Sequence, residues 1–156
     1  MTASRYWCRV PERRGFWRAS LRRKLLAFEA LWELTRARLD TMRPAAHYTR
    51  ALGAQGTEAP EASRAQRATG YEVGHVVGRV ADVVPFRAVC LQQAIAVSRM
   101  LRRRQVPATV YLGLSLSADD GKVAGKRDAH AWVKTGHHVI AGRTDVNRFA
   151  VVGTFS

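Results

Sequence analysis

Large apolar residues recur at helical spacing in the first part of the chain. Over residues 20–42 they fall near one face of an amphipathic helix, which Ser20 could cap and Pro44 follows. This stripe consists of Leu21, Leu25, Phe28, Trp32 and Leu39, widened by Leu31 and Leu34. Such a stripe could face a membrane, but we expect it to face the protein core or a partner protein.

Two further helices are predicted before the middle of the chain. A short one covers residues 44–52, and valines at helical spacing predict another from about Thr69 until Pro85 ends it. Between them, residues 53–69 contain almost no large apolar side chains. We interpret that segment as a linker or mobile loop.

From residue 90 onward a helical pattern gives way to short apolar runs. The spacing predicts a helix over residues 90–104, which Val106-Pro107 closes. Strands are then predicted at residues 108–116, 129–134, 139–141 and 149–155, separated by turns at 117–128 and 135–137. Helices followed by an antiparallel meander make an α+β fold.

Composition favours a folded chain in a reducing compartment. The chain has 156 residues, 47% of them hydrophobic, which is enough for a buried core and excludes wholesale disorder. Its two cysteines, Cys8 and Cys90, are far apart, and Cys8 lies in an Arg-rich segment, so no disulfide scaffold is expected. With no signal-peptide core and no apolar run of ~20 residues, we expect a cytoplasmic protein.

The formal net charge of +14 indicates an anionic partner. Nucleic acid, a lipid surface, an acidic peptide and an acidic protein all fit such a charge. The tight basic clusters are Arg22-Arg23-Lys24 and Arg102-Arg103-Arg104. The alternative interpretation is an arginine-rich composition on solvated helix faces.

The chemistry centres on Cys90 and His130. Cys90 begins a predicted helix, and His130 lies on a predicted strand forty residues later. A free thiol is only partly ionised at neutral pH, whereas the positive end of a helix favours S⁻ and an imidazole can accept the proton. This is the layout of a papain-like thiol hydrolase. The structural alternatives are a small core cysteine and a packed or surface histidine.

Several strings around both residues are diagnostic when taken together. They are Cys90-Leu91-Gln92-Gln93-Ala94, Met100-Leu101-Arg102-Arg103-Arg104, Val106-Pro107-Ala108, Tyr111-Leu112-Gly113, Ala129-His130-Ala131-Trp132-Val133 and Arg148-Phe149-Ala150-Val151-Val152-Gly153-Thr154-Phe155. These strings resemble the transglutaminase-like leader peptidases of lasso-peptide biosynthesis, the stand-alone C-terminal counterparts of the fused B protein. The helix at residues 21–43 is also similar, so the resemblance covers most of the chain.

The resemblance implies a papain/transglutaminase-like fold and a cysteine peptidase that removes the leader from a ribosomal precursor peptide. It implies a separate small leader-recognition protein, and an ATP-dependent cyclase that acts afterwards on the exposed amine. We therefore expect a helical N-terminal region with a basic arm and linker at residues 1–69. The transglutaminase-like peptidase core would occupy residues 70–156. No cofactor is expected.

The third catalytic residue is less well matched. The family carries an aspartate on the strand after the histidine strand, where it orients the imidazole. That register falls near Gly142, and the closest carboxylate is Asp145, which could equally be a turn residue or a helix cap. If Asp145 is not the orienting group, a backbone carbonyl or a polar side chain could hold the ring of His130, at some cost in rate.

Other polar residues near the site have simpler interpretations. Gln92 and Gln93 could contribute to an oxyanion hole, although a helix-surface glutamine can also point away. His137 and His138 are expected to be exposed turn residues, and no metal-ligand spacing indicates a zinc site.

Three other functions remain open at this point. One is a basic nucleic-acid-binding protein, although no recognisable binding motif accompanies the charge. The second is a transglutaminase-like scaffold that binds peptide without cleaving it. The third is acyl transfer, since an amine as well as water can intercept a thioester.

Overall fold

The computed structural model describes residues 20–115, 129–142 and 146–156. The helices are α1 (Leu21–Thr41), α2 (Ala45–Leu52), α3 (Arg64–Ala81) and α4 (Cys90–Arg103). The strands are β1 (Thr109–Ser115), β2 (Ala129–Thr135), β3 (His138–Ala141) and β4 (Phe149–Phe155), with a 3-10 turn at Val146–Arg148. The predicted α+β fold is confirmed. The basic arm at residues 1–18 and the whole of the predicted turn at 117–128 lie outside the described residues.

The four strands form one antiparallel sheet in the order β3-β2-β1-β4. β2 therefore lies inside the sheet, between β1 and β3. Ala131 and Val133 of β2 belong to the hydrophobic core together with residues of α4 and α3. The residues that alternate with them, His130 and Trp132, project from the opposite side of the strand. One side of β2 thus anchors the strand in the core, and the other side carries His130.

Helix α4 is the central element of the core. Eight of its residues are buried, at positions all around the helix: Gln92, Ala94, Ile95, Ala96, Val97, Ser98, Met100 and Leu101. A helix that is apolar on every side must be surrounded by other elements. Here α1, α2, α3 and the sheet all pack against α4. The position of Cys90, its first residue, is fixed by this packing.

Helix α1 packs through a face that the sequence pattern did not indicate. Its buried residues are Leu26, Ala30, Glu33, Leu34 and Ala37. Of the predicted apolar stripe only Leu34 is buried, whereas Phe28 and Trp32 are 63% and 66% exposed. Of the two expected alternatives, the protein's own core is therefore wrong for every residue of the stripe except Leu34, and a partner protein stays a prediction. The buried face combines Ala30 and Ala37 with larger residues, and the rest of the stripe lies on the outside of α1.

Helix α3 begins earlier than predicted. It starts at Arg64, inside the segment interpreted as a linker, because Ser63 and Gln66 form a reciprocal capping box. Its side against the sheet carries Gly74, where a Cβ would overlap the carbonyl oxygen of Ile140 on β3. Glycine at this position allows α3 to lie directly on β3.

Ion pairs connect α1 to α4. Glu33, which is 1% exposed, accepts a hydrogen bond from Arg103 at 2.9 Å and lies 3.6 Å from Arg99. Glu29 accepts hydrogen bonds from both Arg103 and Arg104, which hold the pKa of that carboxyl below its usual range, Arg104 most strongly. The basic cluster at residues 102–104 is thus engaged within the fold, since Arg102 also donates to the Leu52 carbonyl. Among the described helices, none is long and apolar enough to cross a membrane.

Candidate active site

Cys90 occupies the first position of α4. Val89 is the N-cap, in an extended conformation, and the Cys90 thiol is partly accessible. The first turn of a helix leaves backbone N–H groups without intrahelical acceptors, and the helix dipole is positive at this end. Both features stabilise negative charge on a side chain located there. This position is chemically suited to a thiolate nucleophile.

His130 is the second residue of β2 and is half-buried. Its Nε2 nitrogen lies 3.0 Å from the carbonyl oxygen of Gly142. A carbonyl oxygen can only accept a hydrogen bond, so this contact requires a proton on Nε2. In the neutral ring the other nitrogen, Nδ1, is then free of its proton and can accept one.

The backbone at Gly142 explains how its carbonyl reaches His130. Gly142 has a φ of 70°, in the left-handed region that favours glycine. A Cβ at this position would overlap the carbonyl oxygen of Ala131 and lie 2.9 Å from the Cα of Trp132. At Gly142 the chain after β3 therefore passes close to the backbone of β2, and a side chain of any size would displace the Gly142 carbonyl.

Cys90 and His130 line one cavity of about 320 Å³. Its other walls come from the end of β3, at residues 140–142, and from one face of α3. The α3 residues are Tyr71, Gly74, His75, Gly78 and Arg79, and Asp82 follows as the C-cap of the helix. Cys90 and His130 were predicted from the sequence to act together, and the fold places both side chains at the same cleft.

The α3 wall of the cleft was not anticipated from the sequence. Tyr71, His75, Gly78 and Asp82 follow one another at intervals of four, three and four residues. This spacing places them on one helix face, and it is the feature of the sequence from which the α3 wall could have been predicted. Gly78 has open space around it, because an added Cβ would meet nothing within 4 Å. His75 is a second histidine in the cleft, but its ring has no hydrogen-bond partner among the described residues.

An aromatic cluster supports the His130 ring. The ring centroid lies 5.0 Å from that of Phe149 and 6.0 Å from that of Trp132. Trp132 in turn stacks on Tyr111 across the strand pair, at 5.6 Å and 5° between planes. Burial and a hydrogen bond to Glu58 raise the pKa of Tyr111 to about 12, so it stays neutral. Gly113 makes room for this cluster, since a Cβ there would lie 2.8 Å from the Trp132 ring.

The two glutamines after Cys90 have structural partners. Gln92 is buried, accepts a hydrogen bond from the Val89 N–H and donates one to Thr41 of α1 at 3.0 Å. Gln92 thus fixes the start of α4 against the end of α1. Gln93 lines the cleft, but its side-chain nitrogen donates to the Ala88 carbonyl at 2.8 Å.

The remaining predicted residues are distributed as follows. Asp145 lies outside the described residues, so its proposed role stays a prediction. His137 and His138 are exposed, as expected, but only His137 is a turn residue, since His138 begins β3. His137 lies 3.0 Å from Glu61. Within the described ranges, no cluster of three or more His, Cys, Asp or Glu side chains could hold a metal ion.

A larger cavity of about 420 Å³ lies elsewhere, between α1 and α3. Its charged lining residues already form ion pairs: Arg22 with Glu72, and Arg104 with Glu29. It has no thiol or imidazole in its lining. The smaller cleft, which does, is therefore the candidate active site.

A cleft lined by a cysteine at a helix N-terminus and a histidine on an antiparallel sheet is typical of papain-like and transglutaminase-like thiol enzymes. Residues 30–154, about four fifths of the chain, match the family described as transglutaminase-like superfamily. The chain therefore belongs to this superfamily, which includes cysteine peptidases. No curated protein shows a significant match. No solved structure does either.

Proposed function

We propose that this protein is a cysteine peptidase in which Cys90 is the nucleophile and His130 the base. The observation that carries the proposal is the common cleft lined by Cys90 and His130, with His130 Nε2 directed at the Gly142 carbonyl. The alternative base, His75, lines the same cleft but lacks such a contact within the described part of the chain. The fixed tautomer is what favours His130.

The reaction follows from these positions. The Cys90 thiol gives its proton to His130, and the sulfur attacks the carbonyl carbon of the scissile peptide bond. The N–H groups in the first turn of α4 stabilise the oxyanion of the tetrahedral intermediate. His130 then protonates the leaving amine as the C–N bond breaks, which leaves a thioester on Cys90. Water, deprotonated by His130, hydrolyses the thioester and regenerates the thiol.

The orienting group in this proposal is the Gly142 carbonyl. It holds the ring in the required tautomer, as the aspartate of a Ser-His-Asp triad does, but it carries no full negative charge. It therefore stabilises the imidazolium less than a carboxylate would. Asp145 remains a candidate to supply that charge from the segment after Gly142.

The substrate proposed is the leader of a ribosomal lasso-peptide precursor. Support comes from the strings around Cys90 and His130, which resemble those of the stand-alone leader peptidases of that pathway. In this proposal the enzyme acts with a separate leader-recognition protein and before the ATP-dependent cyclase. Tyr71, Arg79 and Asp82 of the α3 wall would contact the peptide on either side of the scissile bond.

The proposal is tested by following the masses of a precursor peptide. The protein is mixed with the precursor and the recognition protein encoded beside its gene, and the products are identified by mass spectrometry. We expect release of the core peptide by the wild type and by the control variant His75→Ala, and no release by Cys90→Ala or His130→Ala. Cleavage that survives Cys90→Ala would contradict the proposal. Binding of the precursor without cleavage by the wild type would instead favour a non-catalytic scaffold.

A further inference from the structure

The outer face of α1 carries a line of large apolar residues, interrupted once by Thr35. Those with the highest exposure are Leu21 at 73%, Met42 at 72% and Trp32 at 66%. Phe28, Leu25 and Leu39 on the same line are also more than half exposed. Over Leu21–Thr41 the line is about 30 Å long, given the helical rise per residue. Singly exposed apolar residues are ordinary, but a line of this length marks an interaction surface.

The spacing of this line is that of a coiled-coil seam. Its positions alternate strictly between intervals of four and three residues: Leu21, Leu25, Phe28, Trp32, Thr35, Leu39 and Met42. This is the a/d pattern of three successive heptads, which presents knobs to one partner helix. Thr35 is the polar member of this seam. Its hydroxyl donates a hydrogen bond to the Leu31 carbonyl, so the hydroxyl proton needs no acceptor on a partner helix. The residues that α1 buries in its own fold lie on the opposite side of the helix.

The flanks of the seam are cationic. Lys24, Arg36 and Arg38 occupy the positions beside it, and none of the three has an ion-pair partner among the described residues. The one carboxylate on these flanks, Glu29, is held by Arg103 and Arg104 of α4. Charges beside a heptad seam determine which partner is accepted. These flanks therefore require acidic residues on the partner.

We infer that this face of α1 binds an amphipathic helix of another protein, with an apolar seam and acidic flanks. A second copy of the chain fits poorly, because each copy has the same cationic flanks and a net charge of +14. A lipid surface fits less well, since an interfacial helix presents a wide apolar face, whereas this seam is narrow and the opposite face is packed on the protein. The inference rests on exposure, spacing and charge, and does not depend on the chemistry at Cys90.

The test uses two fluorescein-labelled synthetic peptides as long as α1. Both have leucine at the a and d positions; one has glutamate at e and g, and the other has lysine. Binding to the full-length protein is measured by fluorescence anisotropy. We expect the acidic peptide to bind at least ~10-fold more tightly than the basic one. Equal binding of both peptides, or no saturable binding of the acidic one, would overturn the inference.

Matched variants localise the binding. Phe28→Ser with Trp32→Ser should abolish it, whereas Val151→Ser with Val152→Ser, which alters two exposed apolar residues of β4, should leave it unchanged. Reversing the flanks with Lys24→Glu, Arg36→Glu and Arg38→Glu should invert the preference from the acidic to the basic peptide. All of these positions are at least partly exposed, and an unchanged thermal unfolding curve verifies that each variant is folded.

Two further outcomes would overturn the inference in favour of another occupant. One is binding to vesicles of phosphatidylcholine and phosphatidylserine that needs Phe28 and Trp32 and exceeds binding to the acidic peptide. The other is self-association in sedimentation velocity that disappears with the same double substitution. Either result would assign the seam to a membrane or to a second copy of the chain.

Discussion

The ring of His130 is held at Nε2 by the main-chain carbonyl of Gly142, at 3.0 Å. A thiol peptidase needs its histidine in one tautomer and one orientation, and a carboxylate or amide side chain commonly provides both. In this protein a backbone group stands at the orienting position. Its placement depends on a positive φ that only glycine adopts without strain.

Replacing Gly142 should therefore affect catalysis more than an ordinary glycine substitution does. Gly142→Ala adds a Cβ that overlaps the Ala131 carbonyl, so the Gly142 carbonyl must move away from His130. We expect cleavage to fall at least ~10-fold, in line with the loss of a positioned acid–base group. Long-range ¹H–¹⁵N spectra of the imidazole should also show that the ring no longer favours the Nε2–H tautomer.

The matched control is Gly56→Ala. Gly56 has a φ of 79°, but an added Cβ there meets nothing within 4 Å. Both substitutions carry a similar backbone strain, so only the displacement of the carbonyl differs between them. If the two variants lose activity equally, the Gly142 carbonyl is not the orienting group.

The two glycines of α3 near the cleft should respond in opposite ways to alanine. Gly78→Ala places a methyl in open space and should stabilise the helix by about 0.5–1 kcal/mol. Gly74→Ala overlaps the Ile140 carbonyl and should destabilise the protein, because α3 must move off β3. Chemical denaturation of both variants measures these differences.

A larger side chain at Gly78 tests whether the cleft is the peptide-binding site. Gly78→Leu narrows the cavity beside Cys90, so we expect KM for the precursor to rise while the alkylation rate of the Cys90 thiol stays the same. An unchanged KM would mean that the peptide does not contact this wall.

The buried and exposed ion pairs of α1 should differ in their contribution to stability. Glu33→Ala removes the buried carboxylate between Arg99 and Arg103, which keep Asp40 and Glu29 as partners, and should lower the free energy of unfolding by about 1–3 kcal/mol. Glu72→Ala removes a pair in which Arg22 is 77% exposed, and should cost at most about 1 kcal/mol. Urea denaturation of the two variants makes the comparison, and similar losses would contradict the assigned burial of Glu33.

Glu29 should give the protein an acid-sensitive component of stability. Its pKa is lowered in the folded state by Arg104 and Arg103, so the ionised carboxylate favours folding. That contribution is complete above the usual glutamate pKa of ~4.3 and is lost as the pH falls through the lower folded-state value. In Glu29→Gln the melting temperature should fall less between pH 5 and 3, roughly the range over which glutamate titrates. A parallel decline in both proteins would exclude this role for Glu29.

Local signals in the sequence were enough to predict the helix that begins at Cys90 and the strands around His130. The last strand was predicted at residues 149–155 and is found at Phe149–Phe155. The helix predicted to begin at Cys90 does begin at Cys90. In both places turn residues and a change of hydrophobic pattern mark the boundary. The start of α3 was missed, although Ser63 and Gln66 carry the capping-box signal.

The non-local features could not be predicted in this way. The sequence favours the large residues of the stripe as the buried face of α1, but of these only Leu34 is buried, beside Leu26, Glu33 and two alanines. Glu33 is tolerated inside because Arg99 and Arg103, far along the chain, neutralise it. Likewise, the contact between Gly142 and His130 depends on a backbone angle, and no residue type specifies it. Such features follow from the packed fold as a whole.

The most direct test of the central claim is the alkylation rate of Cys90. In a Cys8→Ser background Cys90 is the only thiol, so its reaction with iodoacetamide at neutral pH can be followed by intact mass. If His130 is the base, His130→Ala should slow the reaction at least ~10-fold, and His75→Ala, in the same cleft, should leave it unchanged. A rate that is unaffected by His130→Ala, or one that depends on His75 instead, would contradict the pairing of Cys90 with His130.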